Sequence, residues 1–304
     1  MMMKEGSSRI IAVTLTLLLC LLPIHPPNFC TAHSDSEVRC IESERHALLN
    51  FKQHLTDPSN RLSTWAADED CCDWDGVVCH NRTGHVLQLH LRSHYPVYDR
   101  LAIDEDQWEA QYEAYLRSRF GGNINPSLFD LKHLIYLDLS CNDFGGIQIP
   151  KFLGLMGSLR YLNLSQAGFV GLIPHELGNL SKLHYLNLGL NYYHSLYAKN
   201  FQWLSGLPLL QHLDLSYANL SKASNWLQEI NKLPSLLELR LSSCHLSGFV
   251  PPIPNINFSS LTTLDLSYNS FGNTSILFWV FGLHNLVSLD LSGNQFQGII
   301  PVRI

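Results

Sequence analysis

The sequence is poor in charge. Asp, Glu, Lys and Arg make up only 15% of its 304 residues, and the formal net charge is −6. No basic stripe runs through it, so it lacks the electrostatic footprint of a nucleic-acid binder. It has no G-x-S-x-G elbow and no Walker loop, and His90 and His94 lack the adjacent Glu that a zinc-protease helix requires. The expectation is a chain that is not an enzyme and has no cofactor, no catalytic residue and no metal. After residue 24 no apolar run is long enough to cross a bilayer. The composition is nevertheless 46% hydrophobic, enough for a sizeable core and too much for a chain disordered by composition.

The one long apolar run lies at the start. Residues 10–24, IIAVTLTLLLCLLPI, follow Lys4 and Arg9 and precede Cys30-Thr31-Ala32. A positive lead, a run short for a membrane span and small residues at a cleavage point make residues 1–32 a secretory signal peptide, the other reading being an uncleaved anchor. Cleavage removes Cys20 and Cys30. It leaves Cys40, Cys71, Cys72, Cys79, Cys141 and Cys244 in an oxidising compartment.

What the sequence does have is a repeat. LIYLDLSCN, LRYLNLSQA, LHYLNLGLN, LQHLDLSYA, LLELRLSSC, LTTLDLSYN and LVSLDLSGN end at Asn142, Ala167, Asn191, Ala218, Cys244, Asn269 and Asn294, spaced 24 to 27 residues apart. This is the leucine-rich-repeat pattern, in which each unit stacks on its neighbours. It predicts an α/β solenoid with a curved parallel β-sheet on the concave face and an irregular, short-helical or 3₁₀ convex side. Leu137, Leu139 and their counterparts face the core, and the residues between them face outward. The ladder Asn bonds backbone groups of neighbouring coils. Ala167 and Ala218 cannot, so those coils should be looser or use water or a neighbouring side chain. Cys244 is expected to be a buried structural thiol, whereas Cys141 reads as exposed with no assigned role; four coils separate the two, too far for a disulfide.

Residues 33–84 form an N-terminal cap over the apolar end of the first repeat. Ala47, Leu48, Phe51 and Leu55 define a helix from Ser43 to Leu55, with Ser43 capping its start and Asp57-Pro58 ending it. Trp65, Trp74 and Val77 are candidates for the cover. Cys40, Cys71, Cys72 and Cys79 can pair in three ways; a zinc site is disfavoured by the adjacent Cys71-Cys72. Residues 85–304 hold the repeats, starting with a strand at residues 85–91 and interrupted at about 93–120 by an acidic, aromatic insertion. That insertion reads as a short helix near the cap or as a protruding loop, solvated rather than a dedicated partner site. No C-terminal cap follows the last coil, so Leu289, Leu291, Phe296 and Ile299 should meet water or another chain.

ERHALLNFKQHLTDPSNRLSTW, followed by DCCDWDGVVCHNRTGHVLQLHL, resembles the cap of plant extracellular leucine-rich-repeat proteins. The resemblance implies the pairs Cys40–Cys71 and Cys72–Cys79. FVGLIP (residues 169–174) and FQGIIP (296–301) resemble the plant repeat subtype, which adds short strands on the convex side; the third, fourth and sixth repeats lack the phrase. In the fourth, Trp226, Leu227 and Ile230 suggest helical turns. Phrases such as LRYLNLSQAGFVGLIPHELGNLSKLHYLNL and WLSGLPLLQHLDLSYANLSKASNWL are similar to the receptor-like proteins of plant immunity, the xylanase-elicitor receptors and scab-resistance homologues. That family implies a kinase-less receptor on the extracellular side of the plasma membrane. It would bind a microbial or endogenous protein or peptide and signal through a co-receptor kinase, with its membrane anchor in a C-terminal part beyond this chain. The alternatives are a secreted polygalacturonase-inhibitor-like protein or a truncated, non-signalling fragment. A chain ending at Ile304 would be apoplastic.

The concave face carries the candidate site. Tyr136, Tyr161, Tyr185, His212, Glu238, Thr263 and Ser288 form one outward column, and Asp138, Asn163, Asn187, Asp214, Arg240, Asp265 and Asp290 the next. The ligand-binding candidates are Tyr136, Tyr161, Tyr185, His212, Asp138, Asp214 and Arg240. Tyrosines favour interfaces, and they also simply pack well on sheets; both readings stand. The recurring aspartates read as a surface stripe. Sequons lie at Asn81, Asn163, Asn179, Asn219, Asn257 and Asn273. A glycan on Asn163 would screen the tyrosines, so a partner docked there requires Asn163 to be avoided or unglycosylated.

Overall fold

The computed structural model describes residues 38–96, 105–192, 196–247, 255–272 and 275–298. The signal peptide with Cys20 and Cys30, the insertion's Asp99 and Asp104, the sequon at Asn273, and Ile299 and Pro301 lie outside the described residues.

The chain opens with α1 (Glu42–His54), β1 (Leu55–Thr56), β2 (Val77–Cys79) and β3 (Val86–His90). The insertion follows as α2 (Glu105–Ser118), ending in β4 (Gly121–Gly122). Coil strands then recur as β5 (Tyr136–Asp138), β6 (Tyr161–Asn163), β7 (Gly171–Leu172), β8 (Tyr185–Asn187), β9 (Leu196–Tyr197) and β10 (His212–Asp214). After α3 (Trp226–Ile230) come β11 (Glu238–Arg240), β12 (Thr263–Asp265), α4 (Ser275–Val280) and β13 (Ser288–Asp290). One nine-stranded sheet runs in the order β13-β12-β11-β10-β8-β6-β5-β3-β2, parallel throughout except at the antiparallel β2–β3 pair.

From β5 onward each strand of the nine-stranded sheet spans three residues, because only one Leu-x-Leu step per repeat needs the sheet. Leu137, Leu162, Leu186, Leu213, Leu239 and Leu264 are all fully buried. Across the core, 3₁₀ turns at Pro126–Asp130, Lys151–Leu155, His175–Asn179 and Gln202–Gly206 close the coils, each burying one or two apolar residues. Asn125 starts the first of these by accepting from Ser127 N–H at 2.7 Å, with Pro126 supplying a pre-set φ. The predicted helical turns at Trp226, Leu227 and Ile230 are α3. The extra parallel pair joins β7 to β9, which belongs to a repeat without the L/F-x-G-x-I-P phrase; pairing there needs extended backbone, not the phrase.

The ladder asparagines bond backwards. Asn191 Nδ2 donates to Leu164 and Leu188 carbonyls at 2.9 Å, and its Oδ1 accepts from Ala167 and Phe169 N–H at 3.0 Å. Asn269 does the same for Leu241, Leu266, Cys244 and Leu246. Where alanine stands at the ladder other groups take part: Phe144 N–H donates to the Ala167 carbonyl at 2.9 Å, and in the Ala218 coil the neighbouring Cys244 Sγ donates to the Leu215 carbonyl at 3.3 Å. Cys244 is fully buried as expected, and burial pushes its thiol pKa well up.

The residue before each ladder position takes a left-handed conformation: Cys141, Gln166, Leu190, Tyr217, Ser243, Tyr268 and Gly293 have φ between 51° and 68°. That turn corrects the reading of Cys141. Instead of projecting into solvent, its side chain is buried, with Sγ 3.4 Å from Gln166 Oε1.

At the N-terminal end, Trp65 stacks on Trp74 (centroids 5.3 Å apart) and both are almost fully buried with Val77. Cys40 pairs with Cys71 and Cys72 with Cys79, so these sulfurs are not free thiolate ligands. Helix α1 differs at both ends from its expected bounds. Its N-cap is Ile41, whose N–H donates to Gly84 carbonyl, while Ser43 sits inside the first turn and caps nothing. It stops at His54 because Leu55 leaves to pair, antiparallel, with Gly122. Gly122 has φ +84°, and a Cβ there would run into the His54 carbonyl and Thr56 nitrogen. The insertion's helix α2 is mostly exposed and buries Tyr115. Arg61 holds its end: Nη1 donates to Ser93 Oγ at 2.6 Å and to Ser118 carbonyl at 3.1 Å, Nη2 donates to Arg92 carbonyl at 2.7 Å, and the guanidinium lies over the Phe120 ring.

The last coil strand is the exposed counterpart of the others: Leu289 is 45% accessible where Leu264 is fully buried. Leu291 and Phe296 are partly buried against the core.

Candidate functional site: the open face of the sheet

Parallel pairing in register sets each outward residue beside its counterpart. Tyr136 lies opposite Tyr161, Tyr161 opposite Tyr185, and Tyr185 opposite His212. Strand spacing close to the thickness of an aromatic ring lets the side chains stack rather than splay. Ring centroids are 4.1 Å apart from Tyr136 to Tyr161, 4.2 Å from Tyr161 to Tyr185 and 4.1 Å from Tyr185 to His212, with interplanar angles of 10°, 12° and 8°. His90 extends the stack over Tyr136 at 4.4 Å. Five rings therefore form one pile along the sheet. Their faces are spent on each other, and their edges and polar tips point outward. Each stacked pair contributes about 0.5–1.5 kcal/mol beyond its burial.

Burial among the rings raises the phenol pKa of Tyr136, and pushes those of Tyr161 and Tyr185 up to about 12. Tyr161 and Tyr185 hydroxyls accept from Asn163 and Asn187 Nδ2 at 3.3 and 3.4 Å. At the far end, His212 Nδ1 lies 2.8 Å from Glu238 Oε2, and Arg240 Nε is 3.9 Å from the same oxygen. Burial nonetheless wins over Glu238 and lowers the His212 pKa, which keeps the imidazole neutral at neutral pH. Its Nε2 is buried with no hydrogen-bond partner among the described residues.

The second column is a surface stripe only in part: Asp138 and Asn163 are buried, Asp214 and Asp265 half-buried and Asp290 exposed. Asp138 is 5% accessible, and its Oδ1 accepts from Ser140 N–H at 2.9 Å and Oγ at 2.6 Å. Asn163, Asn187, Asp214, Asp265 and Asp290 accept from the N–H two residues on in the same way. A short acid or amide that folds back onto its own turn is competed away from solvent. Asp138 and Asp214 thus build the left-handed turn rather than offering a charge. Arg240 cannot do this and stays partly exposed beside Glu238. Among the sequons, Asn81, Asn179 and Asn257 are exposed and Asn219 partly so, whereas Asn163 is 5% accessible and bonded at both ends of its amide. Sequence reasoning missed His90, which stands in the first strand beyond the insertion. It also left Glu238 out, although its column was assigned.

The description "Leucine rich repeat N-terminal domain" matches residues 41–80, and "Leucine Rich Repeat" matches residues 158–180, 235–255, 260–283 and 285–304. The chain belongs to the leucine-rich-repeat proteins. Among curated relatives, this leucine-rich-repeat chain is 42% identical to Receptor-like protein EIX1 of Solanum lycopersicum over 271 residues, covering 87% of this chain and 25% of the relative. It is 40% identical to Receptor-like protein EIX2 of the same species over 304 residues, covering 99% of this chain and 28% of that one. The chain thus spans about a quarter of the length of the curated relatives it matches. Among solved structures, the ectodomain of the Arabidopsis receptor kinase HAESA, in complex with a peptide hormone, superposes with a TM-score of 0.57 at 23% identity, over 86% of this chain and 42% of that chain. That likeness is one of fold.

Proposed function

We propose that this chain is the N-terminal, ligand-recognising part of the ectodomain of a kinase-less receptor, carried through the secretory pathway to the extracellular side of the plasma membrane. Its partner is a protein or peptide that lies across the strands, along the sheet, and meets the ring edges of Tyr136, Tyr161 and Tyr185 and the polar end at His212, Glu238 and Arg240. Signalling passes through a co-receptor kinase. The identity to receptor-like proteins over nearly the whole chain is the observation that carries this reading. The stack supports it, because edges and hydroxyls suit an extended polypeptide better than a flat ring, which would need exposed faces. The folded-back amide of Asn163 supports it too. An unglycosylated Asn163 leaves the tyrosines open, and glycopeptide mass spectrometry showing that site fully occupied would argue against a partner docked there.

The test is a chimera in which this chain replaces the aligned quarter of Receptor-like protein EIX1. The expected result is a chimera that reaches the cell surface and keeps the ligand binding of the unaltered receptor, and that loses this binding when Tyr161→Arg and Tyr185→Arg are added at unchanged surface level. Unaltered binding in the double variant removes the sheet face from recognition.

A further inference from the structure

A cluster on the opposite end of the chain's business is built from three segments far apart in sequence. Glu44 lies in the first turn of α1 and is 3% accessible. Its Oε2 accepts from Val86 N–H at 2.7 Å, which fixes the carboxylate with Oε1 aimed at two histidines. His85 Nδ1 lies 2.9 Å from Oε1 and His133 Nδ1 lies 3.7 Å from it. The two imidazoles stack, centroids 3.7 Å apart, so they present nitrogens on one side. One donor atom from each of the three residues lies within 4.8 Å of the other two. Among the described residues the ion-pair partners of Glu44 are these two histidines alone. The buried carboxylate therefore has no lysine or arginine partner among the described residues.

We propose that Glu44, His85 and His133 bind a divalent transition-metal ion of the zinc class. Two imidazoles and a carboxylate are the borderline donor set such ions select, and three protein ligands leave a fourth position for water. That position opens outward, since the His133 side chain is half-exposed. Zinc bonds of about 2.0–2.1 Å to nitrogen and oxygen put tetrahedral ligand atoms roughly 3.4 Å apart. The 2.9 and 3.7 Å separations straddle that spacing; because an imidazole binds a metal in its own ring plane, the two stacked rings must splay apart for both nitrogens to converge on one ion, a movement that the half-exposed His133 is free to make. The Val86 N–H on Oε2 is the outer hydrogen bond that holds a ligating carboxylate in orientation. The ion would clamp α1, the start of β3 and the turn before β5 to one another. None of the three residues belongs to the stacked column on the sheet face.

The experiment uses the full secreted chain, stripped with chelator and titrated with ZnCl₂ by calorimetry, with Co²⁺ absorption as a spectroscopic readout. The expected result is one ion per chain, the visible bands of a four-coordinate site, and a raised unfolding midpoint in Zn²⁺. His133→Ala, on the surface, should lower affinity by about tenfold or more with an unchanged circular-dichroism spectrum, and His85→Ala with His133→Ala should abolish the Co²⁺ bands. His175→Ala, an exposed histidine elsewhere, should change nothing. Zinc binding of equal affinity in wild type and His133→Ala, or no binding at all, overturns the proposal and leaves the cluster a hydrogen-bonded latch.

Discussion

In the repeats, Leu162, Leu186, Leu213 and Leu239 are each fully buried beneath the same kind of neighbour, coil after coil; at the N-terminal end hardly a contact occurs twice. There Glu44 reaches Val86, Arg61 grips Arg92 and Ser118, β1 pairs with β4, and two disulfides close the remainder. An interior coil finds a copy of itself on both sides, so one solution serves all. The first coil has a copy on one side only, and its other side is covered by contacts that do not recur among the described repeats. Stability in the repeats is therefore a sum of near-identical nearest-neighbour terms. At the end it rests on a few singular, long-range ties.

The largest effect that sharpens this contrast is expected from the disulfides. Replacing Cys40 and Cys71 together by Ser should cost about 2–5 kcal/mol. Proteolysis and amide exchange should find the loss concentrated in residues 38–90, with β8 to β11 protected as before. A uniform loss of protection along the sheet would break the division.

A smaller, repeated-unit effect is expected from Asn191→Ala, which strips partners from Leu164 and Leu188 carbonyls and from Ala167 and Phe169 N–H. The cost should be about 1–3 kcal/mol. Exchange should speed up at Ala167 and Phe169, in the coil before the substitution, while the coil after it changes little. Equal change on both sides would contradict the backward reach of the ladder.

The smallest is a pH effect on the stacked face. Burial lowers the His212 pKa, so below the ordinary histidine value of about 6.5 the unfolded chain takes up a proton that the folded chain refuses. Its contribution is complete above that value and is lost as pH falls toward the lowered one. His212→Tyr continues the stack without that proton, and urea unfolding between pH 7 and pH 5 should show a shallower decline than wild type. Identical slopes would mean that Glu238 or another acid governs the trend.

What was legible in the sequence follows the same division. The heads, the ladder, the register and the tyrosine column are periodic, and a period of two inside a period of about 25 fixes which way Leu162 or Tyr161 points. Parity does not say whether an outward side chain then turns back on its own backbone, which is why Asp138 reads as surface and is buried in a turn. Nor does it reveal a left-handed turn without glycine, which hid Cys141. His90 was obscured because the insertion separates its strand from the rest of the array. The meeting of Glu44, His85 and His133 was beyond any local pattern, since it depends on where α1 comes to rest against the first coil.

The backward reach of Asn191 and Asn269 gives the molecule an arrow of time. A chain that emerges N-terminus first exposes the amides and carbonyls of one coil before the residue that silences them has been synthesised. Each turn is finished only by its successor, so maturation runs in the order of translation and the newest turn is always the raw one. An exchange of units between genes keeps this chemistry only when the cut leaves a turn and the next asparagine together.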